Sequence, residues 1–301
     1  MAVKDFDLLV RMVVDAMRKQ AAEAHTAKAE VDISGGIDSA VVVALACQAF
    51  GKKNVVGVYS SIDSSEESHR RAKLVADKFG FTLVDLDLSG VYLEIVAKVA
   101  FEFGRLGIPF PDPDNPANRT AFGGLRSCLR APVGRFVNRV FGGGLRQGTG
   151  NRDEDELIRF FQKGGDGEVD NNWIEGLFKG EVWELATHLG VPQEIVDADP
   201  TPDLWGGAKH TDEGELKELT GVALTYTRPG GPMGTIEWAS RENEKNGCVT
   251  RNGSLPSCLG YNQAQAAIIA AIRKLEKASR HKACMPPLVP REELVKAGAV
   301  E

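Results

Sequence analysis

No apolar run in this chain reaches transmembrane length, and its opening, MAVKDFDLLV, lacks the character of a signal peptide. A membrane span and a secretory leader are therefore not expected, and the chain reads as cytoplasmic. Paired cysteines are missing too. The five, at 47, 128, 248, 258 and 284, contain no C-x-x-C spacing and leave an odd total. That set supplies neither a zinc site nor a disulfide framework and suits a reducing compartment; Cys248 and Cys258 are read as free thiols. Basic charge is also short. Against 42 acidic residues stand 36 lysines and arginines, a net charge of −6, so no global positive field draws in nucleic acid. Internal repeats and low-complexity segments are absent.

What is present is an ordinary globular composition: 301 residues, 43% apolar and 26% charged, enough for one large α/β domain. Phe6, Leu9, Val10 and Val13 fall at i, i+3, i+4 and i+7 and predict an opening amphipathic helix. AEVDI (29–33) predicts a short strand entering SGGIDS, and AVVVALACQAF the buried face of a helix. NVVGVYSS and TLVDLDLS predict further strands. Helices are expected at Glu66–Phe79, around Val96, Val99, Ala100 and Phe103, over 179–189, and over 262–279. Strands alternating with helices predict a doubly wound parallel sheet with flanking helices, because parallel strands need crossover connections. Residues 107–119 carry four prolines and predict an extended loop. Residues 229–260, rich in Gly, Ser, Asn and Pro, predict an irregular insertion within a single domain spanning 1–301.

Ser34-Gly35-Gly36-Ile37-Asp38-Ser39 stands between a predicted strand and a predicted helix. There, backbone N–H groups and the helix dipole favour an anion, and two glycines let the backbone approach phosphate oxygens. Ser34 and Ser39 add hydroxyl donors. Asp38 alone repels phosphate, so its presence makes sense if it holds a magnesium ion bridging the anion. A capped Gly-Gly turn is the plain structural alternative.

The string resembles the SGGxDS signature of the ATP pyrophosphatase (PP-loop) superfamily, whose members cleave ATP between the α and β phosphates. Within it, residues 148–204 resemble the central block of NAD synthetases. GTGN, a GDG string, a lysine at a helix start, LGVP and P-T-x-x-L follow in order, and His281-Lys282 before Pro286-Pro287 resembles the family's C-terminal string.

The resemblance implies ATP-dependent amidation of deamido-NAD through an acyl-adenylate. Ammonia would be the nitrogen source, AMP and pyrophosphate the by-products, and a homodimer the working form. It implies ATP contacts at Ser34, Gly35, Gly36, Asp38, Ser39, Thr149, Lys179 and Thr201, with Lys179 also catalytic. Magnesium ligands would be Asp38 and Glu154, or Asp155 in its place, because the segment is one residue longer than the family's. Lys163, Asp166, Asp170, His281 and Lys282 would face the substrate, with Asp166 accepting a proton from ammonium. About 30 residues before the loop leave no room for an amidase domain, so ammonia is expected free or from a separate partner.

Two segments depart from the pattern. The strand entering GTGN should be apolar, whereas FGGGLRQ suits a buried strand poorly. AKAEVDI is likewise too polar for a central strand. Among the arginines 119, 126, 130, 135, 139 and 146, the register of any substrate contact stays open. Rival readings are the same chemistry on another carboxylate such as nicotinate mononucleotide, and a catalytically silent nucleotide-binding relative. A thiolating enzyme is disfavoured because no cysteine lies within the motifs.

Overall fold

Four strands, β1 (Ala29–Asp32), β2 (Val55–Ser61), β3 (Thr82–Asp87) and β4 (Leu145–Gln147), run parallel in the order β3-β2-β1-β4. The computed structural model describes residues 3–113, 115–202, 211–245, 260–283 and 296. Flanking helices are α1 (Phe6–Glu23), α2 (Ile37–Phe50), α3 (Glu66–Phe79), α4 (Ser89–Arg105), α5 (Arg119–Val140), α6 (Lys179–His188), α7 (Gln193–Val196), α8 (Asp212–Thr220), α9 (Thr235–Lys245) and α10 (Gln263–Ser279). The chain builds outward from β1 through β2 to β3, then returns to lay β4 on the other side of β1. That reversal opens a crevice beyond the carboxyl ends of β1 and β4, where parallel sheets bind ligands. The segments leaving those two ends are SGGIDS and GTGN.

Local chemistry sets the ends of these elements. Asp5 caps α1 by accepting from Leu8 N at 2.9 Å, and Ser65 caps α3 by accepting from Ser68 N at 3.2 Å. Asn262 and Gln265 form a reciprocal capping box at α10. Helix α2 is buried at Ile37 and at Ser39–Ala46, as the apolar run from Ala40 to Ala46 requires, and meets solvent in its last turn at Gln48 and at half-buried Asp38. It packs between the sheet, α1 and α6.

Three expectations are corrected. The LRQ of FGGGLRQ does enter GTGN as a short strand after a glycine turn, because its arginine is neutralised inside the sheet. Arg146 is 1% exposed and pairs at 3.0 Å with Glu30 of β1, itself 0% exposed, and with Asp32. The two strands that looked too polar are polar toward each other. The supposed irregular insertion contains α9, whose Ile236 and Ala239 are buried while the glycines flank it. The proline-rich loop includes one helical turn, Pro116–Asn118.

Helix α5 was not legible from apolar periodicity. Its buried positions beyond Phe122 are Gly123, Ser127, Ala131, Gly134 and Asn138, a helical spacing carried by small and polar residues. Residues 246–259 of the expected insertion, Leu204, Cys248, Cys258, Cys284, Pro286 and Pro287 lie outside the described residues.

Candidate active site

Leaving β1, the chain turns at Ser34-Gly35-Gly36 into α2. Ser34 Oγ accepts from Gly36 N at 3.1 Å, Ser39 Oγ donates to Gly36 O at 3.0 Å, and the two hydroxyls lie 3.2 Å apart. Gly35 has φ +79°, and a Cβ there would stand 2.3 Å from the Ser68 carbonyl oxygen, so the position admits only glycine. Gly36 puts no side-chain cap on α2. The first turn of the helix thus turns bare backbone toward the crevice, with its dipole behind it. Arg71 Nε donates to Gly35 O at 3.1 Å and steadies the turn, a support the sequence did not advertise.

Three distant segments converge on one ammonium. Lys179, the first residue of α6 and 2% exposed, donates from Nζ to Asp38 Oδ2 at 2.6 Å and to Glu154 Oε1 at 2.8 Å. Asn151 of GTGN donates to Asp38 Oδ1 at 3.0 Å. Asp153 accepts the Lys179 backbone N–H at 3.0 Å, acting as an acidic group at the start of α6. The ring of Tyr226 lies 5.3 Å from the ammonium. Of the two carboxylates left open for a metal, Glu154 is the one beside Asp38. Asp155 turns the other way and accepts from Asn172 Nδ2 at 2.6 Å.

The cluster is short of positive charge. Burial alone would lower the Lys179 ammonium, but Asp38, Glu154 and Asp212 outweigh it and hold it above its ordinary value. Burial pushes Glu154 up, with Lys179 opposing and Asp38 adding to the rise. Burial likewise brings Asp153 up to about 7. Such a set of hard oxygen donors with excess negative charge fits a divalent cation. Among the described residues no three acidic, His or Cys side chains are grouped to hold a metal alone. Two carboxylates, Asp38 and Glu154, are a number magnesium uses when water and phosphate oxygens complete its shell.

Beside this cluster opens a cleft of about 410 Å³ lined by Thr149, Glu154, Asp155, Phe161, Asp166 and Lys282 among others. Asp166 Oδ1 accepts from Ser127 Oγ at 2.6 Å and from Gln162 N at 2.9 Å, which fixes the carboxylate. Lys282 donates to Arg159 O at 3.1 Å and to Phe161 O, and burial lowers its ammonium against the pull of Asp166 and Asp155. Lys163 donates to His281 O at 3.2 Å, bringing these two exposed residues together. Asp170 is not in the cleft; Arg135 grips its carboxylate at 2.7 and 2.9 Å, and it accepts from Arg146 N at 2.7 Å. Thr201 is exposed at the edge of the described residues.

The sequence singled out neither Asn151, Asp153, Asp212 nor Tyr226 individually. The first two lie inside the GTGN-to-Glu154 string and were within reach of inspection. Asp212 and Tyr226 come from segments with no motif of their own. Of the arginines, Arg130 donates to Ser60 O at 3.0 Å and Arg126 lies 3.7 Å from Asp63, both at the carboxyl end of β2.

A family model described as NAD synthase matches residues 9–220. The NH(3)-dependent NAD(+) synthetase of Methanosarcina acetivorans is 33% identical over 216 residues, covering 70% of this chain and 77% of that one. The protein of the same name from Methanopyrus kandleri is 32% identical over 237 residues, covering 76% and 78%. The NMN synthetase of Francisella tularensis has a similar fold, with a TM-score of 0.71 at 20% identity, over 96% of this chain and 99% of that one. So does the NH3-dependent NAD synthetase of Campylobacter jejuni, with a TM-score of 0.67 at 16% identity, over 96% and 100%. At these identities the two structures speak to the fold.

Proposed function

Because this chain belongs to the NAD synthase family, we propose that it is a ligase that amidates deamido-NAD to NAD with ATP and ammonia, releasing AMP and pyrophosphate. The observation that carries the chemistry is the convergence of Asp38, Glu154 and Lys179 at the open end of the phosphate turn. The turn Ser34–Ser39 binds the triphosphate through backbone N–H groups and the two hydroxyls, with Lys179 supplying positive charge to the phosphates. Asp38 and Glu154 would hold magnesium, which when bound neutralises charge on the triphosphate. The substrate carboxylate attacks the α-phosphorus from the side of the cleft, and pyrophosphate departs toward the loop. Ammonia then adds to the acyl-adenylate carbonyl and AMP leaves.

Thr149 and Thr201 are read as ATP contacts. Lys163, Asp166, His281 and Lys282 are read as the acceptor side, with Asp166, held rigid by Ser127, taking the proton from ammonium. Asp170 is read as an anchor of the acceptor loop rather than a substrate contact, since its carboxylate is already gripped by Arg135. Residues 1–301 are read as one domain, and the protein as a homodimer. Exposed apolar side chains on α4 and α5 support that assembly: Phe101 is 70%, Phe136 69% and Val140 71% exposed. No described helix is long and apolar enough to cross a membrane.

The test is direct. Purified protein with ATP, magnesium and ammonium is offered deamido-NAD and, separately, nicotinate mononucleotide. NAD and AMP should appear in equal amounts from the first. Release of ADP and inorganic phosphate, or amidation of the mononucleotide alone, would overturn the reading.

A further inference from the structure

Inside the sheet, where apolar side chains normally stand, Arg146 donates from Nη1 to both oxygens of Glu30 at 3.0 and 3.1 Å and from Nη2 to Asp32. Helix α5 makes room for the guanidinium with Gly134, where a Cβ would lie 2.0 Å from Arg146 Nη1. A buried ion pair of this kind adds little stability over well-packed apolar residues. Its remaining bonds indicate what else it does. Arg146 Nε donates to Glu168 O at 2.9 Å, its backbone N–H donates to Asp170 Oδ2 at 2.7 Å, and its carbonyl accepts from Asp170 N at 2.9 Å. One residue, gripped by β1, thereby ties down two residues of the loop 162–171. Arg135 of α5 repeats the grip, with forks to Glu168 at 2.9 and 2.9 Å and to Asp170 at 2.7 and 2.9 Å. Glu168 N donates to Gly165 O at 3.0 Å, carrying the restraint into the turn that holds Asp166 and Lys163.

We propose that Arg146, locked by Glu30 and Asp32, is a positioning residue for the acceptor side of the site. It sets the place of loop 162–171 against the sheet, so that Asp166 and Lys163 meet the acceptor in a fixed arrangement. The proposal rests on the acceptor-side reading above. It explains why Glu30 and Asp32 stand in β1 and Arg146 in the neighbouring strand β4: a side chain that must reach the carbonyl of Glu168 needs a long donor, and that donor needs a buried acidic partner.

The experiment is the double substitution Glu30→Leu with Arg146→Met, which removes the fully buried pair together with the side-chain tie to the loop and leaves Asp32 in place. The unfolding midpoint is expected to fall only modestly, because the fully buried Glu30 leaves together with Arg146 and the half-buried Asp32 alone loses its partner. Backbone amides of 162–171 should exchange about tenfold faster while those of 34–39 stay unchanged. KM for deamido-NAD should rise about fivefold or more, with KM for ATP within about twofold. A folded double variant with unchanged loop exchange, or with equal increases in both KM values, overturns the proposal. If the double variant does not fold, Arg146→Lys decides, since lysine keeps the charge beside Glu30 and Asp32 and cannot also donate to Glu168 O. The same split in smaller measure supports the proposal, and no change in loop exchange overturns it. Wild type that binds ATP and ignores deamido-NAD would sink the functional reading instead, and the exchange data would still judge the loop restraint.

Discussion

Lys179 shows how much one side chain carries here, since it is the counter-charge for two half-buried carboxylates and the group proposed above to meet the phosphates. Lys179→Met leaves Asp38 and Glu154 facing each other without a cation. It should cost about 3–5 kcal/mol in chemical unfolding and abolish AMP formation; a variant of wild-type stability would show that the carboxylates do not depend on it. Asp38→Asn keeps the turn's shape and should reduce turnover about a hundredfold or more, with its unfolding midpoint near wild type; near-normal turnover at ordinary magnesium would make Asp38 a mere helix cap. Asp155 gives a pH handle. Burial, with Glu154, Glu175 and Asp166 nearby, raises its carboxyl to about 8. The folded protein therefore keeps a proton that the unfolded chain releases near the ordinary carboxylate value of about 4. Its contribution to stability is complete below that value and drains away as pH climbs through about 8. In chelator and without nucleotide, Asp155→Asn should flatten that decline by up to about 1 kcal/mol per pH unit. Urea unfolding at several pH values would show it, and parallel curves would refute it. The partners Asp38, Glu154 and Lys179 were legible in the sequence because each sits in a dense string of chemistry-bearing residues. Asp212 and Tyr226 were not, because only folding brings them to the same ammonium.

Elements were legible where their burial is apolar and periodic. The helix Glu66–Phe79 and the strands NVVGVYSS and TLVDLDLS appear as expected. The helix buries the stripe of Ala72, Val75 and Ala76, β2 is buried along nearly its whole length, and β3 half-buries Leu83, Val84 and Leu86 at the sheet's edge. Helix α5 and β4 were opaque for a shared reason: α5 buries small residues so that a guanidinium fits beneath it, and β4 supplies that guanidinium. Each looks wrong alone, and neither departure has meaning until β1 is laid between them. Gly134→Ala tests that fit. In the middle of a helix this substitution ordinarily helps, but here the new methyl meets Arg146 Nη1. It should therefore destabilise by about 1–3 kcal/mol in place of the usual gain. A more stable variant would mean that the guanidinium has room to spare.

At the scale of the molecule, the exposed apolar rows of α4 and α5 predict self-association. Phe101→Asp combined with Phe136→Asp should turn a dimer into a folded monomer in sedimentation equilibrium, weakening association about a hundredfold or more. A wild-type monomer at the same concentration would remove those faces from consideration. The most consequential feature of the whole is α2, buried at Ile37 and from Ser39 to Ala46. A stretch of helix without a solvent face has almost no neutral positions, so every substitution along it is a change to the interior. The nucleotide end therefore inherits the fold's own intolerance of mutation, whereas loop 162–171 and the helices around the cleft keep outward-facing positions that are free to drift. Descendants of such a chain can exchange one acceptor for another while their way of holding ATP stays frozen.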